Sequence, residues 1–253
     1  MAPAGSDPID TDDPRRWFGR SALIDLDDPR LRLRASSLAQ LASDVRGRAV
    51  AIHGYVKGLA LRKRIRTRCW TAREVMDKEK GDAANKAALF VALLRICGIP
   101  SRIRFVLVSS ALLHGLLPLK RQATRPIVEL WLDGAWHRVD THIFSAAYVA
   151  AARQRLRVEK RSAGYGVILA GYSSWNGVDD AWVGATGKSD SQAGVVLADL
   201  GAFNDELEFH ESAGYRQRHS RLVSMARWCV DAPWMNRVVR QLEREGRDSA
   251  AVT

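Results

Sequence analysis

The chain is predicted to fold as an α+β protein in which one capped central helix packs on an antiparallel sheet and further helices follow toward the C-terminus. Three observations predict this. Gly81 to Arg102 contains an Asp82 cap, then Ala87, Phe90, Leu93, Leu94 and Ile96 at helical spacing, then the stop signals Gly98 and Pro100. Arg102 to Val108 alternates and is rich in β-branched residues, as a strand requires. Ile127 to Leu132 and Trp136 to Asp140 flank Asp133-Gly134, a strong hairpin signal. A central helix followed by sequential antiparallel strands is an α+β arrangement.

The remaining elements follow in order. Residues 1–16, rich in Asp, Pro, Gly and Ala, are expected to form a disordered tail, as are residues 246–253, leaving one domain over 17–245. Leu31 to Leu61 carries a helical pattern, with Leu38, Leu41, Val45, Val50, Ile52, Tyr55 and Val56 inward. The basic run Arg62, Lys63, Arg64, Arg66 and Arg68 is expected on a surface loop, and Thr71 to Met76 as a short helix. His114 to Thr124 is an irregular excursion before the hairpin. Phe144 to Arg157 is helical, and residues 163–190, rich in Gly, Ser and Trp, are expected as long ordered loops. Tyr215 to Arg244 is helical again, and Pro233 is expected to divide it into two helices.

Composition limits the function classes. At 253 residues and 47% hydrophobic, the chain can bury one substantial core. No apolar run reaches the roughly 18 residues needed to cross a membrane, and the acidic start is unlike a secretory signal, so a cytoplasmic protein is expected. Cys69, Cys97 and Cys229 are scattered and form no Cys-x-x-Cys pair, and the six histidines show no ligand spacing. No metal or cofactor is therefore expected. The glycines do not follow a phosphate-binding spacing.

The net charge of +11 would suit an acidic partner. The charge gathers in the run from Arg62 and in a second one, Arg153, Arg155, Arg157, Lys160 and Arg161. Neither carries the interleaved aromatics of a single-strand-binding surface, so solvated faces are expected in place of a nucleic-acid site.

Thr71-Ala72-Arg73-Glu74-Val75-Met76, Gly81-Asp82-Ala83-Ala84-Asn85-Lys86, Leu89 to Arg95 and Gly98 to Arg102 together resemble the bacterial transglutaminase-like superfamily. Val128-Glu129-Leu130-Trp131-Leu132-Asp133-Gly134-Ala135-Trp136 and Val139-Asp140 are similar to that family's strand pair, and Tyr165-Gly166 and Trp175-Asn176-Gly177 to the tail of one bacterial subfamily. The resemblance spans about residues 35–145. It implies a papain-like core and a Cys-His-Asp triad, in which a thiolate attacks an acyl carbon, an imidazole moves the proton and a carboxylate orients the imidazole.

Carried over residue by residue, the Cys position falls on Ala83, the His position on Arg125 and the Asp position on Asp140. Alanine cannot attack, and a permanently protonated guanidinium cannot act as general base. Losing nucleophile and base together leaves no covalent mechanism at this site. The leading reading is a non-catalytic relative whose cleft is kept for binding, for assembly with a protein or peptide partner, or for fold stability. In that reading Arg125 pairs with Asp140 and turns a catalytic constellation into a structural ion pair.

Two alternatives stand beside it. One is a cysteine acyltransferase or peptidase whose nucleophile has been replaced by Ala83, and the other a basic adaptor that contacts nucleic acid. Four further residues are cleft candidates. Asp82 is read first as the helix cap, Glu129 as a cleft-lining carboxylate or the partner of a nearby Arg, and Trp131 as sheet packing. His142 would share the face of Asp140 if the strand continued. Cys97 lies about 14 residues, or roughly 21 Å, along the helix from position 83 and cannot replace the missing thiol.

Overall fold

The computed structural model describes residues 12–63, 68–185, 194–213, 215 and 221–251. Two aspartates start the first helices. Asp28 accepts hydrogen bonds from the Arg30 and Leu31 N–H groups and opens α1 (Pro29–Ala39), and Asp44 caps α2 (Val45–Gly58) through the Gly47 N–H. β1 (Ala60–Leu61) runs parallel to β2 (Lys80–Gly81), and α3 (Ala72–Lys78) lies between them in sequence. A capping box of Thr71 and Glu74 holds the start of α3.

α4 (Ala83–Ile96) begins in a second capping box: Asp82 accepts from the Asn85 N–H and the Asn85 side chain accepts from the Asp82 N–H. Every residue from Ala84 to Arg95 is buried, so α4 is a central helix with no solvated face. Its partner is a four-stranded antiparallel sheet of β3 (Ser101–Val108), β4 (Ala123–Leu132), β5 (Ala135–Val139) and a late strand, β8 (Val196–Phe203), in the order β5-β4-β3-β8. Asp133 (φ 51°) and Gly134 (φ 83°) are both left-handed, the geometry of a two-residue turn that matches strand twist. Ile103, Phe105, Val128, Leu130 and Val139 project from the sheet into one core with Phe90, Leu93 and Leu94.

Beyond the hairpin, α5 (Ala146–Val158), the short hairpin of β6 (Ala163–Gly164) and β7 (Val167–Ile168), α6 (Glu206–Glu211) and α7 (Arg221–Ala251) complete the order. Tyr148, Ala152 and Leu156 of α5 pack with Val239 and Leu242 of α7 in a second core.

Several boundaries differ from those expected. Pro233 does not divide the last helix, which runs unbroken from 221 to 251. The proline is exposed, where a lost backbone hydrogen bond can be made to water, while Met235, Val238, Val239 and Leu242 hold the buried side against the second core. Residues 246–251, expected as tail, belong to that helix because it packs along α5, and the Arg155–Glu245 ion pair lies at this junction. At the other end, Pro14–Phe18 forms a 3-10 turn capped by Asp13 and anchored by buried Trp17, so residues 14–16 are not tail, and residues 1–11 of that expectation lie outside the described residues.

β8 was not anticipated. Its side chains are half-buried or exposed, giving little periodicity, and it is recruited by the open edge of β3. The expected loops of 163–190 include the β6–β7 hairpin, and their last residues, 186–190, lie outside the described residues, as do Arg64 and Arg66 of the first basic run.

Candidate functional site

The site begins at the N-terminus of α4. A Cβ on Gly81 would sit 2.8 Å from the Asn85 Cβ, so glycine lets the chain turn into the capping box. Asp82 and Ala83 then border a cavity of ≈210 Å³. Ala83 occupies the first turn, where the positive end of the helix dipole favours a negative group, and contributes only a methyl. Leu113, Leu116 and Leu117 of the excursion, Pro126 of β4, Phe144 and Met235 of α7 form the apolar wall. Lys63, Arg121, Arg125, Glu206, His210 and Tyr215 are the other charged and titratable groups around it.

Arg125 reaches this wall from β4, 8% exposed. Its Nε donates to Asp140 Oδ2 at 2.8 Å and its Nη1 to the Gly166 carbonyl at 2.9 Å, while the Val183 N–H donates to the same Asp140 oxygen at 3.1 Å. The guanidinium carbon lies 5.7 Å from the centre of the Phe144 ring. The ion pair anticipated between these two residues is therefore formed, and it ties β4, the end of β5 and the β6–β7 hairpin together.

Behind the ion pair, two buried lysines, Lys57 of α2 and Lys86 of α4, meet the segment after β5. Lys86, fully buried, donates to the Leu59 carbonyl at 2.8 Å and the Ile143 carbonyl at 2.9 Å. Lys57 donates to the carbonyls of Thr141 at 2.9 Å and Phe144 at 2.7 Å. Burial, with a smaller contribution from Lys57, pulls Lys86 down to about 7, and burial pulls Lys57 down to about 8 against the opposing charge of Asp140. His53 Nε2 contacts Thr141 Oγ1 at 2.9 Å, and burial brings its pKa down to about 3. The two lysines hold residues 141–144, and with them one side of the cavity, against the helices. Sequence reasoning missed this role. The signal was a charged residue inside an otherwise apolar stripe, Lys86 on α4, and a His53/Lys57 pair one turn apart on α2.

Of the residues singled out from sequence, Asp82, Ala83 and Arg125 line the cavity, and Asp140 stands behind Arg125. Glu129, Trp131 and His142 do not line it. Glu129 is completely buried on the outer face of the sheet, where strand register sets it opposite Arg102 and Arg138. It accepts from Arg102 at 2.6 Å, Arg104 at 2.7 Å and Arg138 at 3.0 Å, so the reading as an arginine partner holds and that as a cleft carboxylate does not. Trp131 packs edge-on against Trp136, 5.5 Å between ring centres, as sheet packing predicts.

His142 does not continue the face of Asp140, because β5 stops at Val139 and the chain turns, with the Ile143 N–H bonded to the Asp140 carbonyl. Its ring is buried 5.3 Å from that of Phe90, neither nitrogen has a hydrogen-bond partner among the described residues, and burial holds its pKa well below 6.5. Cys97 caps the far end of α4, and burial raises its thiol. His114 carries an imidazole 3.6 Å from Glu159 and stays off the cavity wall. Among the described residues, no group of three or more His, Cys, Asp or Glu could hold a metal ion, and no helix is long and apolar enough to cross a membrane.

Residues 34–141 match the model of the transglutaminase-like superfamily. The fold is transglutaminase-like, of the papain type, with a central helix packed on an antiparallel sheet. The matched segment contains positions 83, 125 and 140, whereas α5, β8, α6 and α7 lie beyond it. Among solved structures, a Cytophaga hutchinsonii protein provisionally named a cysteine protease is 18% identical, with a TM-score of 0.41. The match covers 50% of this chain and 41% of that one. No curated protein matches the chain.

Glu206, His210 and Met235, which also line the cavity, come from outside the matched segment. Their place on the wall is set by the docking of α6 and α7, and no local pattern marks it.

Proposed function

We propose that this is a non-catalytic transglutaminase-like protein whose cleft is kept as a binding pocket. The observation that carries the reading is the buried Arg125–Asp140 ion pair, whose arginine lines the same cavity as Ala83. Acyl transfer by a triad needs a nucleophile at the helix N-terminus and a group that takes up its proton. At these positions stand a methyl group and a guanidinium that stays protonated at any working pH. The ion pair also disposes of the carboxylate left without its imidazole, since an unpaired buried charge would be strongly destabilising. The cavity itself stays open, with cation and apolar wall in place.

The test is ester turnover with and without restoration of the two groups. The unaltered protein should hydrolyse a p-nitrophenyl ester no faster than buffer and show no acylation burst. The double variant Ala83→Cys/Arg125→His should be alkylated at position 83 by iodoacetamide faster than Cys69 or Cys97. Turnover by the unaltered protein would overturn the non-catalytic reading. A folded double variant that is not alkylated at position 83 would remove the assignment of the site.

A further inference from the structure

We infer that the outer face of α7 is a docking surface for the phosphate backbone of a nucleic-acid duplex, formed where the two basic runs of the sequence converge on that helix. Taken separately, the runs look like solvated faces. The fold changes this by tying part of each to α7. Arg62 pairs with Glu243 at 3.2 Å. Asn236 holds Lys63 beside it, accepting from the Lys63 N–H at 2.8 Å and donating to the Lys63 carbonyl at 2.7 Å. On the other flank, Arg155 of α5 pairs with Glu245 at 2.6 Å.

Between these flanks α7 turns its own arginines outward. Arg237, Arg240, Arg244 and Arg247 follow one another at spacings of three, four and three residues, which puts them on one side of the helix, and all four are exposed. Val238, Val239 and Leu242 are fixed in the second core, so the stripe cannot rotate inward. Among the described residues none of the four has a carboxylate partner; Arg240 donates to the Asn236 carbonyl of its own helix, at 3.1 Å. Glu243 and Glu245 are neutralised by Arg62 and Arg155, which leaves Asp248 as the one remaining acid of α7 from Arg237 onward. Counted with its partners, the surface carries a clear excess of positive charge.

The pattern selects the kind of polyanion. Guanidinium forks suit phosphate oxygens, and ten residues of helix span about 15 Å, over which each strand of a duplex presents about four phosphates. From Arg237 to Ser249 no exposed side chain is aromatic or a large aliphatic, so the stripe has nothing to stack on unpaired bases or to insert among lipid chains. The exposed Val230 and Trp234 lie before it. Binding through the backbone, irrespective of base sequence, fits such a face.

The experiment is fluorescence anisotropy of a labelled DNA duplex of arbitrary sequence, about 20 base pairs long, with the full chain between about 50 and about 200 mM salt. Affinity should fall about a hundredfold over that range, with a slope of log K on log salt of about −3.6, the value for four phosphate contacts. Arg237→Gln/Arg240→Gln/Arg244→Gln/Arg247→Gln should weaken binding at least about tenfold at low salt and flatten the slope, and each single Arg→Gln should reduce the slope by about 0.9. The fourfold Arg→Lys variant should keep the slope. Arg20→Gln/Arg30→Gln/Arg32→Gln/Arg34→Gln, which removes the same charge from exposed arginines elsewhere, should leave affinity within about threefold.

No binding at low salt, an unchanged slope in the four Gln variants of α7, or an equal loss in the control set would overturn the surface. Tighter binding to phosphatidylserine vesicles or to polyglutamate than to the duplex would overturn the duplex in favour of a membrane or an acidic chain.

Discussion

Arg125 concentrates the chemistry of this protein in one side chain. Its pre-proline position at the start of β4 aims a guanidinium at Asp140, and the pair lies where water screens little. Removing one partner of a buried ion pair leaves the other charged and alone. Arg125→Ala should therefore destabilise the fold by about 3–5 kcal/mol, read as the urea midpoint, whereas Arg125→Met/Asp140→Leu should recover most of that loss. A midpoint unchanged in Arg125→Ala would show that the pair holds nothing together. The resemblance pointed to this pair by placing both residues at neighbouring positions of one site. Residue types left Glu129 with two readings, and only its burial among three arginines separated them.

At the scale of elements, sequence was most legible where local chemistry decides. The Asp82 cap, the Asp133-Gly134 turn and the strand of β3 are all fixed by neighbours in the chain, and all were foreseen. α7 shows the opposite case. Pro233 argued for a break and the polar residues after Glu245 for a tail, yet packing on α5 carries the helix through both. Gly246 marks the closest approach, for a Cβ there would lie 2.0 Å from the Ala147 carbonyl oxygen. Gly246→Ala must push the helices apart and should cost about 1–3 kcal/mol. A lowered urea midpoint at unchanged slope is the expected result; no change in midpoint would mean that the two helices do not pack this closely.

For the whole molecule, the buried bases give stability a definite pH dependence. His53, held at about 3 against an ordinary 6.5, stays neutral in the fold while the unfolded chain takes up protons below 6.5. His142 is depressed in the same direction. Stability that both supply above 6.5 is therefore lost as pH falls toward 3. Lys86 and Lys57, held at about 7 and about 8 against 10.5, release protons in the fold before the unfolded chain does, so stability rises with pH from about 7 toward 10.5. Asp140 near Lys57 and Glu243 near Lys86 oppose this shift without reversing it. The melting temperature should climb between about pH 5 and about pH 9 at constant ionic strength. A higher value at about pH 5 would contradict the buried, uncompensated state of these groups.

By itself, the sequence determined the α+β class, the capped central helix, the hairpin and the absence of a thiol and an imidazole at positions 83 and 125. Each of these is a property of residue type at a spacing, which local backbone chemistry or the presence of an ionisable atom settles. Tertiary structure alone decided that Glu129 is buried among three arginines, that Lys57 and Lys86 brace the cavity from behind, and that α6 and α7 close its wall. Those depend on groups far apart in the chain sharing a buried volume, where a missing partner is costly and only packing selects which partner is near.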